Sequence, residues 1–148
     1  MKRYKRILIC GLPGSGKTTL ARHLAYNFLV PHHNADTIRE LTGNWDFTTW
    51  GRYQQFEFMR NQWGILDFVC PKQHFRDSMN YDLSIWMNTI EESRYEDTNE
   101  MFEPFHNADI IVTDMPNTPS LNISWHLEKE KYNEGYEELL RYLSEVNL

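Results

Sequence analysis

Strand-like and helix-like blocks alternate along the chain. Five blocks have the length and composition of strands, at residues 7–10, 33–35, 65–70, 83–87 and 110–113. Between them, apolar residues recur three and four positions apart, which is the spacing of one helix face. Strands that alternate with helices are typical of a parallel sheet. We therefore predict an α/β fold in which a five-stranded parallel sheet carries helices on both faces, as one domain over residues 1–148.

Two stripes of large side chains support the helical part of this prediction. The first stripe consists of Tyr53, Phe56, Met59, Arg60 and Trp63. The second stripe, near the C-terminus, consists of Tyr132, Tyr136, Leu139, Leu140 and Leu143. We interpret the second stripe as core packing rather than a cofactor site. A short helix is predicted over residues 37–41, and a longer one begins after Thr48, whose hydroxyl suits an N-cap.

A glycine-rich segment, Gly11 to Thr19, separates the first strand from the helix that follows it. It fits the G-x-x-x-x-G-K-[S/T] pattern of a phosphate-binding loop, and its position between strand and helix agrees with that pattern. Glycines let backbone N–H groups surround an anion, and the helix N-terminus adds donors. Lys17 then reaches the β- and γ-phosphates, and Thr18 holds Mg²⁺. The residues predicted to bind ATP here are Gly11, Pro13, Gly14, Ser15, Gly16, Lys17, Thr18 and Thr19.

Composition narrows the class of protein. The net charge of −6 argues against a broad nucleic-acid-binding surface, because such surfaces are basic. Four of the first six residues are basic, and we interpret them as a solvated start of the first strand. No apolar stretch has the length of a membrane span, and the basic start lacks the apolar region of a secretory signal. Cys10 and Cys70 lie in apolar blocks, which favours small core residues in a reducing compartment and a cytoplasmic protein.

Polar residues at the strand ends are the candidates for chemistry, because ligands of parallel sheets bind beyond the carboxyl ends of the strands. Asp36 follows the second strand, where a carboxylate suits two functional roles, to accept the proton of an acceptor hydroxyl or to order the metal. It also suits the N-cap of the short helix, and the two kinds of role are compatible. Arg39, one turn further on, is a candidate to bind an anionic substrate. Asp67 lies within the third strand and is a further candidate to support Mg²⁺ through water. Lys72 and Arg76 follow that strand near the same crevice.

Two further segments complete the predicted crevice. Phe47 either staples the start of the long helix or stacks on a purine ring. Arg52 and Gln55 are three residues apart, so they share a helix face and suit an acceptor molecule. Residues 88–104 lie where the lid of a phosphotransferase would close. Arg94 is the one basic residue of that stretch, which makes it the candidate to contact nucleotide phosphate or base.

The motifs at these strand ends resemble those of the adenylyl-sulfate kinase family over residues 7–113. Residues 34–39, Asn-Ala-Asp-Thr-Ile-Arg, align with the family's Asp-Gly-Asp-Asn-x-Arg. Phe47-Thr48, Gly51-Arg52 and Gln54-Gln55 have the spacing of its Phe-Ser, Asp-Arg and Glu-Asn. Residues 70–73, Cys-Pro-Lys-Gln, stand in place of its Ser-Pro-Tyr-Arg, and residues 102–105 resemble its Tyr-Glu-Pro-Pro.

The resemblance implies a kinase that uses ATP and Mg²⁺ to phosphorylate the 3′-hydroxyl of a small nucleotide, adenosine 5′-phosphosulfate. The residues that it implies for the acceptor are Asp36, Arg39, Phe47, Arg52, Gln55, Pro71, Lys72 and Phe102. Among them, Asp36 would be the base, and Phe47 and Phe102 would sandwich the adenine.

Some positions depart from the family pattern. The phosphate loop reads Pro13-Gly14-Ser15 instead of Ser-Gly-Ala, and Asn34 replaces the first aspartate of the second motif. The lid is shortened, as in compact adenylyl-sulfate-kinase-like proteins of phages. Two alternatives stay open: a kinase for nucleotides or for the 5′-hydroxyl of a nucleic acid, and a nucleotide-binding regulatory protein with little turnover. Trp45 and Trp50 suit either substrate stacking or a homodimer interface.

Overall fold

The computed structural model describes residues 6–113, together with the backbone of residues 122–127 and 130–135. Most of the basic N-terminal cluster therefore lies outside the described residues. The same holds for Tyr136, Leu139, Leu140 and Leu143 of the second predicted helix stripe.

Five parallel strands form the centre of the sheet. They are β1 (Arg6–Cys10), β2 (His32–Asn34), β3 (Gly64–Asp67), β4 (Leu83–Met87) and β5 (Ile110–Val112). Their order is β2-β3-β1-β4-β5, and every neighbouring pair is parallel. The predicted five-stranded parallel sheet is confirmed. The third strand ends at Asp67, three residues earlier than the apolar pattern suggests, so this carboxylate lies at the carboxyl end of its strand.

Two antiparallel strands extend this sheet beyond β5. They are β6 (Asn122–Leu127) and β7 (Glu130–Gly135), which bring the described sheet to seven strands. The prediction of a helix beginning at Tyr132 is wrong for this part of the chain, because Tyr132 pairs with Trp125 across the two strands. Pairing with a neighbouring strand overrides a local spacing that fits a helix.

Helices connect the parallel strands. They are α1 (Lys17–Phe28), α2 (Ala35–Thr42), α3 (Thr49–Met59), α4 (Gln73–Ser78) and α5 (Glu96–Met101). The Thr48 hydroxyl accepts a hydrogen bond from the Gly51 amide, which confirms the predicted N-cap of α3. The cap of α2 is Asn34, whose Oδ1 accepts from the Thr37 amide at 3.0 Å. The alternative that Asp36 caps this helix is therefore wrong, since Asp36 lies inside its first turn.

Hydrophobic side chains cover both faces of the sheet. Along β1, Ile7 and Ile9 point into one cluster with Leu20 and Leu24 of α1. Leu8 and Cys10 point into a second cluster, which contains Phe56 and Met59 of α3. This alternation follows from the two-residue period of a strand and agrees with a doubly covered sheet.

The two cysteines are free and buried among these core residues. Burial raises the pKa of the Cys10 thiol to about 12, so this thiol stays protonated at neutral pH.

Among the described residues, no helix has both the length and the apolar character that a membrane span requires.

Candidate active site

The glycine-rich segment forms a tight loop between β1 and α1. Gly14 and Gly16 have φ angles of 83° and 96°, in the left-handed region that favours glycine. A Cβ atom on Gly11 would lie 2.7 Å from the carbonyl oxygen of Met87, too close for any other residue. The Thr89 hydroxyl, just after β4, donates to the carbonyl of Ser15 at 2.7 Å and ties the loop to the neighbouring strand.

Lys17 begins α1 and is almost fully buried under this loop, with 8% of its surface exposed. Its Nζ donates to the carbonyl oxygen of Leu12 at 3.0 Å. Burial lowers the pKa of the ammonium group, whereas the nearby negative groups of Asp67 and Asp36 raise it. Lys17 and Asp36 both line the cavity described below.

Asp67 is the centre of a polar network at the ends of β2, β3 and the phosphate loop. The side chain is fully buried. Its Oδ2 accepts from Thr18 Oγ1 and from Asn34 Nδ2, both at 2.9 Å, and lies 2.9 Å from His32 Nε2. Its Oδ1 is buried without a hydrogen-bond partner among the described residues. A buried carboxylate oxygen with no partner is costly, unless a ligand supplies one.

This donor set fits Mg²⁺. Hard oxygen ligands suit that ion, which proteins usually hold with one or two side chains, the phosphates of the substrate and water. Thr18 and Asp67 provide a hydroxyl and a carboxylate side by side. In the part of the chain that the structure describes, no cluster of three or more acidic, histidine or cysteine side chains forms a complete metal cage.

A cavity of about 940 Å³ opens beside the phosphate loop. It is bounded by the loop, the start of α2, the segment before α3 and the residues that precede and begin α5. The predicted site residues that line it are Pro13, Gly14, Lys17, Thr18, Asp36, Phe47, Arg52, Asp67 and Arg94. Of the other predicted loop residues, Gly11, Ser15, Gly16 and Thr19 build the loop and first helical turn behind this surface. Ser15 Oγ is buried there and has no hydrogen-bond partner among the described residues.

Arg39 and Gln55 lie behind the cavity wall instead of on its surface. The Arg39 side chain is buried, and its guanidinium donates to the carbonyl of Asp46 at 2.9 Å and to Gln55 Oε1 at 3.2 Å. Gln55 Nε2 donates in turn to the carbonyl of Ala35 at 3.1 Å. The Arg39 guanidinium also lies 4.2 Å from the centre of the Phe47 ring. The two residues therefore join α2 to α3 and support Phe47 from behind.

Three other residues implied for the acceptor also lie off the cavity surface. The carbonyl of Pro71 accepts from the Glu103 amide at 2.8 Å, and Lys72 Nζ lies 3.8 Å from a Glu103 carboxylate oxygen. Phe102 stacks on Trp86, with ring centres 6.3 Å apart. Arg76 is fully buried and donates to the carbonyls of Cys70 and Glu103. These contacts pack α4 against the chain after α5.

Arg52 is held at the cavity from two sides. Its Nε donates to the carbonyl of Phe47 at 3.1 Å, and its Nη2 donates to Thr98 Oγ1 at 2.9 Å. Burial lowers the pKa of Arg52, and the carboxylate of Asp97 raises it. Arg94 is exposed and lies over the Tyr95 ring, 5.1 Å from its centre.

Sequence reasoning did not assign roles to His32 or Thr98, and it left Trp45 undecided. Trp45 lines the cavity next to Phe47, with ring centres 6.3 Å apart. His32 precedes Asn34 by two residues, so strand periodicity could have placed them on the same face. Trp50 is exposed and stacks on Tyr53, and a homodimer interface at this residue stays a prediction.

Comparison with known proteins supports the assignment of the loop. The model of a family described as nSTAND3, Novel STAND NTPase 3, matches residues 1–68, which contain the phosphate loop and Asp67. No curated protein sequence matches this chain.

Solved structures are similar mainly in fold. A gluconokinase from Sinorhizobium meliloti 1021 superposes with a TM-score of 0.51 at 15% identity, covering 76% of this chain and 84% of that one. The crystal structure of APE1195 superposes with a TM-score of 0.48 at 23% identity. That overlap covers 59% of this chain and 62% of that one, and it is too limited to bear on function. Three observations support a nucleotide-binding protein with the α/β fold of P-loop NTPases: the order of the parallel sheet, the phosphate loop with its family match, and the similarity to the gluconokinase in fold.

Proposed function

We propose that this chain is a kinase that transfers the γ-phosphoryl group of ATP to a hydroxyl of a nucleotide acceptor, and that the acceptor is adenosine 5′-phosphosulfate. The observation that carries the proposal is that Asp36 and Arg52 line the same cavity as Lys17, Thr18 and Asp67. The cavity therefore offers a carboxylate, a cation and an aromatic wall beside the phosphate loop, where an acceptor with a hydroxyl, an anionic group and a flat base would bind.

The phosphate loop supplies the ATP end of this site. Its backbone donors and the start of α1 bind the phosphates. Lys17 donates to a neutral carbonyl in the structure, and a phosphate oxygen is the stronger acceptor because it is charged. We therefore expect the Lys17 ammonium to leave Leu12 for the nucleotide. It would then stabilise the charge on the transferred group.

Thr18 and Asp67 would hold Mg²⁺ at this end. When bound, the ion would neutralise charge on the phosphates of ATP. Asp67 keeps one buried oxygen without a partner among the described residues, which supports this assignment.

Asp36 is the base in the proposed reaction. Its side chain is exposed to the cavity, and none of the described residues hydrogen-bonds to its carboxylate. The acceptor oxygen forms a bond to the γ-phosphorus, and the bond from that phosphorus to the bridging oxygen breaks. ADP leaves, and the hydroxyl proton moves to the Asp36 carboxylate.

The acceptor end offers an aromatic surface and a cation. Arg39 covers one face of the Phe47 ring, and the residue as a whole remains 45% exposed beside Trp45. A flat base stacks well on such rings, and Arg52 suits an anionic group. Phe102 packs on Trp86, so the proposed base site uses Phe47 and Trp45 instead of a Phe47–Phe102 sandwich. The choice of adenosine 5′-phosphosulfate rests on the motif resemblance at residues 34–39 and 47–55.

The test is phosphoryl transfer from labelled ATP with Mg²⁺ to adenosine 5′-phosphosulfate. We expect transfer by the wild type and almost none by Asp36→Asn. Transfer only to nucleoside monophosphates or to oligonucleotide 5′-ends would replace the acceptor but keep the kinase. ATP binding with no transfer to any acceptor would favour a regulatory protein and contradict the proposal.

Thr98→Val provides a test of the acceptor end. Valine keeps the size of threonine but cannot accept the hydrogen bond of Arg52, so the guanidinium loses one of its two anchors. We expect the KM for the acceptor to rise on the order of 10-fold, the scale of one hydrogen bond to a charged group, with the KM for ATP unchanged. Thr98→Ser keeps the hydroxyl and is the control. Equal rises in both KM values would indicate a general loss of structure.

A further inference from the structure

We propose that His32 is a positioning residue for the divalent cation, which it orients through Asp67. The inference rests on the proposed function, because it takes the Thr18–Asp67 pair as the Mg²⁺ site. The pattern of the phosphate-binding loop contains no histidine, and our sequence analysis gave this residue no role.

The register of two strands brings His32 to Asp67. β2 and β3 are parallel, and Asn34 lies opposite Asp67 in their pairing. Side chains two residues apart in a strand share a face, so His32 and Asn34 both point to this carboxylate. His33 points to the other face, where its Nε2 lies 3.1 Å from the carbonyl oxygen of Trp63.

The three hydrogen-bond contacts that described residues make with this carboxylate all fall on one oxygen. Asn34 Nδ2 and Thr18 Oγ1 donate to Oδ2, and His32 Nε2 lies 2.9 Å from the same atom. A carboxylate oxygen that holds a cation only accepts hydrogen bonds, so the inference requires an N–H at Nε2 of His32. The arrangement fixes the plane of the carboxyl group and saturates Oδ2. It leaves Oδ1, buried and without a partner among the described residues, as the oxygen for the cation or its water.

His32 contributes what Asn34 and Thr18 cannot provide alone. Asn34 Nδ2 also donates to Thr18 Oγ1, at 3.1 Å, so these two contacts belong to one linked group next to the loop. His32 lies on β2 and contacts the carboxylate from the strand side, outside the phosphate loop. Removing such an outer residue typically lowers metal affinity about 10- to 100-fold.

The experiment measures the binding of ADP to the full chain by calorimetry, over a titration of Mg²⁺ and separately in EDTA. His32→Leu removes the donor and puts an apolar side chain of similar size in its place. His32→Gln restores an N–H at a similar reach. His33→Leu is the matched control, because the same change is made on the opposite face of the same strand.

We expect His32→Leu to raise the Mg²⁺ concentration for half-maximal enhancement of ADP binding about 10- to 100-fold. Binding in EDTA should stay unchanged, His32→Gln should recover most of the loss, and His33→Leu should match the wild type. Equal Mg²⁺ dependence in His32→Leu and the wild type would overturn the inference. So would an equal loss in EDTA, since His32 would then support only the fold. A wild type that binds ADP without any effect of Mg²⁺ would instead remove the metal site from the proposed function.

Discussion

Lys17→Ala is expected to lower the rate of phosphoryl transfer by several orders of magnitude while the fold survives. Removing one neutral hydrogen-bond donor to a developing charge lowers the reaction rate on the order of 10²- to 10³-fold. The loss should be larger for Lys17, because its ammonium group is a charged donor. Its ammonium is almost fully buried and burial already lowers its pKa, so the protein gains little stability from the charge. Single-turnover transfer from labelled ATP measures the first effect, and thermal unfolding measures the second.

The matched control for Lys17 is Arg22→Ala. Arg22 lies on the same helix and is exposed, so this variant loses the same charge away from the loop. We expect it to retain full transfer. Unchanged transfer in Lys17→Ala would remove the phosphate loop from the mechanism. Loss of transfer together with a large fall in the unfolding temperature would show that the ammonium supports the loop itself.

The parallel part of the fold could be predicted from the sequence because its strands are buried on both faces. Such strands appear as short apolar runs, and their ends were predicted to within three residues. β6 and β7 could not be predicted in this way. The stripe that begins at Tyr132 has helical spacing, and only its partner strand shows that residues 130–135 are extended.

The residues of the candidate site also differ in whether the sequence could predict them. The loop residues and Asp36 could be found because local sequence determines them: a motif, and a position just after a strand. Arg39, Gln55 and Phe102 have the residue types of a binding site, yet the cavity surface does not include them. Whether a side chain faces a cavity depends on what packs against it, such as the Phe47 ring over Arg39. Thr98 was missed because its partner, Arg52, is distant in sequence.

Asp36→Asn is expected to slow phosphoryl transfer on the order of 10²-fold or more and to leave ATP binding intact. An amide cannot take the hydroxyl proton, and a positioned general base typically contributes this much. The fold should survive because Asn34, not Asp36, caps α2. The measurements are the single-turnover rate with saturating acceptor and the affinity for a non-hydrolysable ATP analogue.

A second carboxyl on the same helix gives the control for Asp36. Glu40 is exposed one turn further along α2 and does not line the cavity, so Glu40→Gln makes the same charge change elsewhere. If both variants slow transfer equally, the negative charge of α2 matters and Asp36 is not the base. If only Asp36→Asn is slow but its affinity for the ATP analogue also falls, the carboxylate organises the Lys17 end of the site. Slow transfer with normal affinity in Asp36→Asn alone is the result that a base requires, because proton removal belongs to the chemical step and not to nucleotide binding.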